Sequence, residues 1–188
     1  MKFSVITPTL QRDSLVACCR SLDEQTHKDW EHIVSIDGTT LNHELIGSLA
    51  SNKRRFMAGG PYRNFGNGPR SIAWEYTTGD YVIYLDDDNY FSHPDALVDI
   101  AFCLTAKPCD WAIFPILRFG QIMISADPGV CRTDSANMVI RREIAQWPNI
   151  NDYTADGILA EQLKAKYPFE VFDKVKPIIT VPVQSKGV

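Results

Sequence analysis

Three consecutive aspartates, Asp86-Asp87-Asp88, close an apolar run, Tyr81-Val82-Ile83-Tyr84-Leu85. Adjacent like charges repel, so the triplet requires something to offset it. Asp and Asn form turns readily, but a solvated turn has no need of three adjacent acids. A hard divalent cation offsets the repulsion well, because carboxylate oxygens suit Mg²⁺ and Mn²⁺. A calcium loop does not fit: counted from Asp86, the positions that need Gly and Glu hold Phe91 and Leu97. The chemistry left is a cation gripped by one or two carboxylates together with the phosphates of a diphosphate-bearing substrate. Such a cation neutralises charge on a departing phosphate. Side chains alternate along a strand end. Asp86 and Asp88 can therefore share one side, and Asp87, pointing elsewhere, is expected to tolerate replacement best.

The polar groups that can join this chemistry must be placed by neighbouring elements. Phe3–Thr7 is a short β-branched run and reads as a strand, followed by Thr7-Pro8-Thr9 and Arg12. Leu15, Cys18, Cys19 and Leu22 recur at helical spacing, with Asp13 or Ser14 able to cap the start. His32–Asp37 is a second strand ending at Asp37-Gly38, Glu44–Ala50 a short helix, and Lys53–Ala58 a weak third strand. A helix opens at Asn67-Gly68-Pro69 and runs to about Thr77. The strand Tyr81–Leu85 then leads into the triplet. Ser92-His93-Pro94-Asp95 carries a capping Ser, an early Pro and an acid, and so starts a helix. Trp111–Leu117 reads as one strand, Gly120–Ala126 as a hairpin arm, and Asn137–Ile140 as a strand. Asp156–Lys166 reads as a helix and Ile178–Val183 as a final strand. Alternating strands and helices imply a mainly parallel sheet covered on both faces. Such sheets bind ligands at the carboxyl ends of their strands, and three of the polar clusters fall there.

Composition narrows the class. The chain has 188 residues, 45% of them hydrophobic and 22% charged, with a net charge of −4. That is one globular domain without the basic face of a nucleic-acid binder. No apolar run reaches the length of a membrane span. The amino-terminal MKFSVITPTL reads as a first strand rather than a signal peptide, because Pro8 arrives too soon. The five cysteines form no CxxC pair and read as buried free thiols in a reducing compartment. The four histidines lack metal-ligand spacing.

Several segments, in order, resemble family 2 inverting glycosyltransferases of the GT-A fold. They are Ser4-Val5-Ile6-Thr7-Pro8-Thr9 with Arg12; Ser21–Thr26 with Trp30–Val34 and Asp37-Gly38; Asn67–Ala73; and Thr78–Asp88. The likeness covers roughly residues 3–100. It implies an α/β, single-domain GT-A fold: a Rossmann-like, mixed and mainly parallel nucleotide-binding sheet with helices on both faces. Residues 1–100 would form the nucleotide-sugar half and 101–188 the acceptor and catalytic-base half. Under this resemblance Thr7, Pro8 and Thr9 wall the base and ribose, and Asp37 hydrogen-bonds the base, typically uracil. Arg70 lies near the diphosphate, Asp86 by the ribose and donor sugar, and Asp88 on the metal, Mn²⁺ or Mg²⁺. Asp86 and Asp87 belong to the donor-side cluster, and Asp86 also neighbours the metal. A cation such as Arg70 sits at the unfavourable end of its helix dipole unless an anion lies there. Arg12 reads equally as a phosphate contact or a surface salt bridge.

The implied reaction is a single displacement with inversion at the anomeric carbon, assisted by a downstream carboxylate that takes the acceptor proton. Asp134, Asp152 and Asp156 are the acids considered, with Glu143 and Glu161 behind them. Asp156, at the head of the apolar helix, is placed ahead of Asp152, although an acid there also suits a helix cap. Trp111, Trp147 and Tyr153 can stack on a sugar, Trp111 fitting better as core. The Gln-x-x-Arg-Trp signature of processive synthases is missing, since Arg142–Trp147 does not match it. The chain ends at Val188, which leaves little room for an acceptor domain, and the only polar groups of its tail are Gln184, Ser185 and Lys186. The expectation is thus a cytoplasmic enzyme, at most peripheral to a membrane, that moves a hexose from a UDP-sugar, preferred over GDP, to a glycan, lipid-linked or other hydroxyl. A homodimer can close such a small site. The competing readings are a silent nucleotide-sugar binding protein and a nucleotidylyltransferase, the latter disfavoured because the Thr7–Arg12 loop has no glycine.

Overall fold

The structure, a computed structural model, describes residues 1–182. Its first half follows the strand–helix alternation of the sequence. Strand β1 (Phe3–Thr9) is buried at every residue and lies inside the sheet, with a neighbour on each side. It is followed by α1 (Leu15–Asp23), β2 (Trp30–Asp37), α2 (His43–Ser48), β3 (Arg54–Gly59), α3 (Asn67–Trp74) and β4 (Tyr81–Tyr84). The two-residue β5 (Tyr90–Phe91) leads to α4 (Ala96–Ala106). The second half supplies β6 (Trp111–Ile113), β7 (Ile116–Arg118), β8 (Gln121–Met123), β9 (Met138–Arg141), α5 (Ala155–Lys164), β10 (Phe169–Val171) and β11 (Ile179–Val181).

Seven strands form the main sheet in the order β10-β6-β9-β4-β1-β2-β3. Only β9 runs against its neighbours. Strands from both halves of the chain therefore share one sheet. Period-two alternation sorts the core. Phe3, Val5, Tyr81 and Ile83 face one side, with Cys18 and Leu22 of α1 and Ile100 and Leu104 of α4. Ile6, Val82 and Tyr84 face the other, with Ala73 of α3 and Leu159 and Leu163 of α5. A second sheet, β5-β11-β7-β8, stands beside the carboxyl end of β4.

Three expectations are corrected. Trp111–Leu117 is two strands in two sheets, because Pro115 cannot donate to a continuing ladder and the chain changes sheet there. Helix α4 begins at Ala96 with Asp95 as its cap residue, and Ser92 instead shares a hydrogen bond of 2.9 Å with the Thr180 hydroxyl. Ser14 holds the cap position of α1, but its hydroxyl makes no capping bond. The expected last strand falls on β11 as far as Val181, while Val183, Gln184, Ser185 and Lys186 lie outside the described residues. No helix of the described residues is long and apolar enough to cross a membrane.

Candidate active site

The sheet order reverses between β1 and β4, and a crevice opens where the connections leaving these strands diverge. A cavity of about 850 Å³ occupies it, a size that suits a nucleotide sugar. Pro8 and Thr9 from the end of β1, Arg12 from the following turn, Asp37 from the end of β2, Arg70 from α3, and Asp86, Asp87 and Asp88 after β4 all line it. Thr7 does not. Its side chain points into the protein, where its hydroxyl meets His32 Nε2 at 2.9 Å and Cys18 Sγ at 3.7 Å. The expected Thr7–Thr9 wall is therefore reduced to Pro8 and Thr9 at the strand's end, since Thr7 sits further inside the sheet with its hydroxyl committed to His32 and Cys18.

Two arginines share the three acids of the triplet. Asp86 pairs with Arg70. Asp87 is 1% exposed; it accepts hydrogen bonds from the Thr9 hydroxyl at 2.6 Å and Arg12 Nε at 3.2 Å. Asp88 lies 3.4 Å from Arg12 Nη1. Asp87 is the most deeply buried of the three, and the expectation that it best tolerates replacement is corrected: it is a buried carboxylate held by Thr9 and Arg12. Arg12 is accordingly a salt-bridge partner, the second of the two alternatives left open for it, and it also lines the cavity.

Arg70 is buried rather than a solvated first-turn residue. It donates to the Phe65 carbonyl at 2.9 Å, and its guanidinium lies 4.8 Å from the Trp147 ring. Gly66 makes room for it. The glycine has φ of +78°, and a Cβ there would meet Arg70 Nη1 at 2.9 Å and Pro8 Cβ at 3.1 Å. Asp37 accepts from the backbone amides of Tyr62 at 2.6 Å and Arg63 at 3.3 Å, so it shapes the turn that leads to Phe65 as well as lining the cavity.

Of the carboxylates considered as the base, only Asp134 lines the cavity, and Asp156 lies behind that lining. Asp156 is in the first turn of α5, with Thr154 as the cap residue. Burial, then the charges of Asp134 and Asp86, push its carboxyl up to about 6, against the Gly157 amide and Arg70, which act the other way. Asp134 lines the cavity and is also raised, chiefly by burial. Its oxygens are committed, however, to the Ala136 amide at 3.0 Å and to Arg118 at 3.3 Å. Asp152 is exposed, and both the amide and the hydroxyl of Thr154 donate to one of its oxygens at 2.8 Å, which lowers its pKa. Asp152, the alternative to Asp156, caps the turn before α5 in an exposed position, and like Asp156 it is not part of the cavity lining.

Three site features escaped the sequence. Arg118, at the end of β7, lines the cavity facing Asp134. Asn67, at the start of α3, donates to the carbonyls of Ile150 at 2.8 Å and Asp152 at 2.9 Å, and accepts from Trp147 Nε1 at 2.8 Å. Asn64 donates to Asn149 at 3.0 Å. These asparagines fasten the helix that bears Arg70 to the loop that leads to Asp156. Their only signal in the sequence was a helix opening. Trp111 and Trp147 are buried core, and of the three aromatics considered for stacking only Tyr153 is exposed.

The donor set for a cation is two partly exposed carboxylates, Asp86 and Asp88, on the cavity wall. No cluster of three His, Cys, Asp or Glu able to hold a metal occurs among the described residues. Two hard oxygen ligands open to a cavity fit an ion whose remaining ligands are water and substrate phosphate.

Comparison with known proteins agrees with this architecture. Residues 4–121 match the family model described as Glycosyl transferase family 2. A stretch of 92 residues is 30% identical to GalNAc(5)-diNAcBac-PP-undecaprenol beta-1,3-glucosyltransferase of Campylobacter jejuni, covering 47% of this chain and 30% of that protein. The chain thus spans less than a third of the length of this curated relative. Staphylococcus aureus TarS 1-349, solved in complex with UDP-GlcNAc, superposes with a TM-score of 0.80 at 18% identity, covering 100% of this chain and 60% of that one. The mannosyltransferase PcManGT of Pyrobaculum calidifontis, solved with GDP-Man and Mn²⁺, gives 0.77 at 16% identity, covering 99% and 58%. At those identities the likeness concerns the fold, which is GT-A.

Proposed function

We propose a reaction for this chain, which belongs to glycosyl transferase family 2: transfer of a sugar from a nucleotide diphosphate donor to an acceptor hydroxyl, with inversion. The observation that carries this reading is the convergence of Asp37, Arg70, Asp86 and Asp88 on one cavity, with Asp156, raised to about 6, behind its lining and near enough to feel the charges of Asp134, Arg70 and Asp86. Residues 1–100 supply the donor side and 101–188 most of the acceptor side. UDP is the preferred nucleotide because Asp37 stands at the end of β2, where it can accept from a uracil N–H, and because TarS was solved with UDP-GlcNAc.

In the proposed reaction the acceptor oxygen attacks the anomeric carbon from the side opposite the diphosphate. The carbon–oxygen bond to the diphosphate breaks as the new glycosidic bond forms. Asp156 takes the acceptor proton, and its raised pKa suits a base working near neutrality. Arg70 faces the developing charge on the leaving group. Asp88, with Asp86 beside it, holds Mn²⁺ or Mg²⁺, which when bound neutralises the departing diphosphate.

Thermal shift with UDP and GDP, each with and without Mn²⁺, tests the donor reading. A nucleotide at a hundredfold excess over its Kd adds about 2.7 kcal/mol, which raises Tm by about 5–10 °C for a domain of this size. UDP with Mn²⁺ should give the larger shift, and Asp88→Asn should abolish the Mn²⁺-dependent part. The proposal fails if neither nucleotide stabilises the protein, or if the Asn variant responds like the parent.

A further inference from the structure

Phe65 and Tyr153 form an exposed aromatic corner at the mouth of the cavity. Their centroids are 5.8 Å apart and their planes meet at 82°. Both line the cavity, and both remain largely in water, at 59% and 76% exposure. Burial does not account for such rings, because most of their apolar surface is left uncovered. The backbone adds a second, independent observation. Phe65 has φ of +59°, in the left-handed region where a bulky side chain is an outlier. Glycine would hold this position more cheaply, and one follows immediately at Gly66. The chain instead keeps an aromatic ring there, turned toward solvent.

The surroundings identify the occupant. Tyr153 lies between Asp152 and α5, three positions before the base Asp156, so the corner belongs to the acceptor side of the cavity. Arg63, Arg118 and Asp134 also line this cavity and supply donors and acceptors at its wall. An alkyl chain has no use for charged neighbours. A pyranose ring has a C–H face, weakly positive, that attracts the negative face of an aromatic ring. It also has hydroxyls around its rim for the charged groups. Two perpendicular rings present a floor and a wall to one sugar.

We propose that the Phe65–Tyr153 corner is a saccharide subsite, so that the acceptor is itself a carbohydrate whose terminal ring stacks there and turns one hydroxyl toward Asp156. This rests on the acceptor-side reading given above, but binding at the corner is measurable without turnover. Saturation-transfer NMR with the methyl glycosides of glucose, N-acetylglucosamine, galactose and mannose, in the presence of UDP and Mn²⁺, is the direct test. At least one glycoside should receive saturation at its ring C–H protons. Phe65→Gly and Tyr153→Ala should each weaken that binding about tenfold. Phe65→Gly should melt no lower than the parent, since glycine suits the left-handed backbone, which separates loss of the ring from loss of the fold. The proposal is overturned if no glycoside binds at tens of millimolar, or if binding survives both substitutions. Weakened UDP binding in either variant would assign the corner to the donor base and overturn it as well. Glycoside binding that meets these criteria in a protein unable to hydrolyse or transfer from any donor would uphold the subsite and refute the transferase reading.

Discussion

Replacing Asp156 by Asn separates its role as a base from its role in the helix. The carboxyl is raised from 3.8 to about 6, with burial as the largest cause. That interval corresponds to at most about 3 kcal/mol, and partial exposure reduces it to about 2 kcal/mol. The sign follows from proton binding. Between the two values the folded state holds the proton and the unfolded state does not, so stability falls as pH rises through this window and stays low above about 6. Asn carries no charge and avoids that loss. It does forgo a favourable carboxylate in the first turn of α5, worth about 0.3–1 kcal/mol. At pH 8 the variant should thus be more stable than the parent by about 1 kcal/mol, or about 2–4 °C in Tm. At pH 4 the advantage should vanish. Transfer should fall by about 10²–10⁴-fold, and the parent's kcat/KM should rise with pH through about 6. Melting curves at the two pH values and initial rates of nucleotide release measure all three. A variant that keeps half the parental rate, or that melts lower than the parent at pH 8, would refute the reasoning.

Asp87→Asn should cost about 2 kcal/mol, since it removes a buried charged acceptor from Thr9 and Arg12; urea denaturation should show the loss with an unchanged slope. Gly157→Ala should destabilise by about 1–3 kcal/mol, because its Cβ would lie 2.4 Å from Val130 Cα. Gly47→Ala, in α2 with nothing within 4 Å of the added carbon, should gain about 0.5–1 kcal/mol, so that thermal melts of the two alanine variants move in opposite directions. Asn67→Ala leaves Trp147 Nε1 without its partner and should cost about 2–3 kcal/mol. If Asn67 holds the acceptor-side loop, transfer should drop in that variant while the UDP-induced thermal shift is kept.

What was legible in the sequence follows the range of the forces involved. The strands β1, β2 and β4 and the helices α1 and α3 are local patterns, in which period-two or period-3.6 apolar spacing meets a clear stop. Their carboxyl ends therefore placed Asp37, Arg70 and the acidic triplet near one crevice. The strand 111–117 misled because its composition is uniform, while Pro115 divides it between two sheets. Thr7 and Asp87 misled for a different reason. The resemblance placed Thr7 on the wall and alternation turned Asp87 from it, but neither states what a side chain meets. Thr7 meets His32, and Asp87 meets Arg12 from 75 positions earlier in the chain. Asn67 and Arg118 act through partners far away in sequence, Trp147 and the 150–152 carbonyls for one and Asp134 for the other. Residue type alone carries no trace of such pairings.

The charges around the cavity bear on why the acidic triplet is there. Four arginines, Arg12, Arg63, Arg70 and Arg118, share the lining with five aspartates, Asp37, Asp86, Asp87, Asp88 and Asp134. With all of them ionised the wall carries one net negative charge. A nucleotide diphosphate brings further negative charge into this space. Three of the four arginines are already engaged, Arg70 with Asp86, Arg12 with Asp87 and Asp88, and Arg118 with Asp134. Under the proposed function, a divalent cation held by Asp88 would turn this net negative charge into a positive one and would free guanidinium groups to face phosphate. The repulsion within the triplet would then make the pocket selective, admitting a diphosphate together with a cation and resisting it alone. Nucleotide affinity should accordingly rise steeply with Mn²⁺ in the parent. In Asp88→Asn the metal-free affinity should increase, because one repelling charge is gone, while the Mn²⁺ dependence is lost. Titrating UDP by calorimetry with and without Mn²⁺ reads both quantities, and an Asn variant that binds metal-free UDP more weakly than the parent would contradict the account.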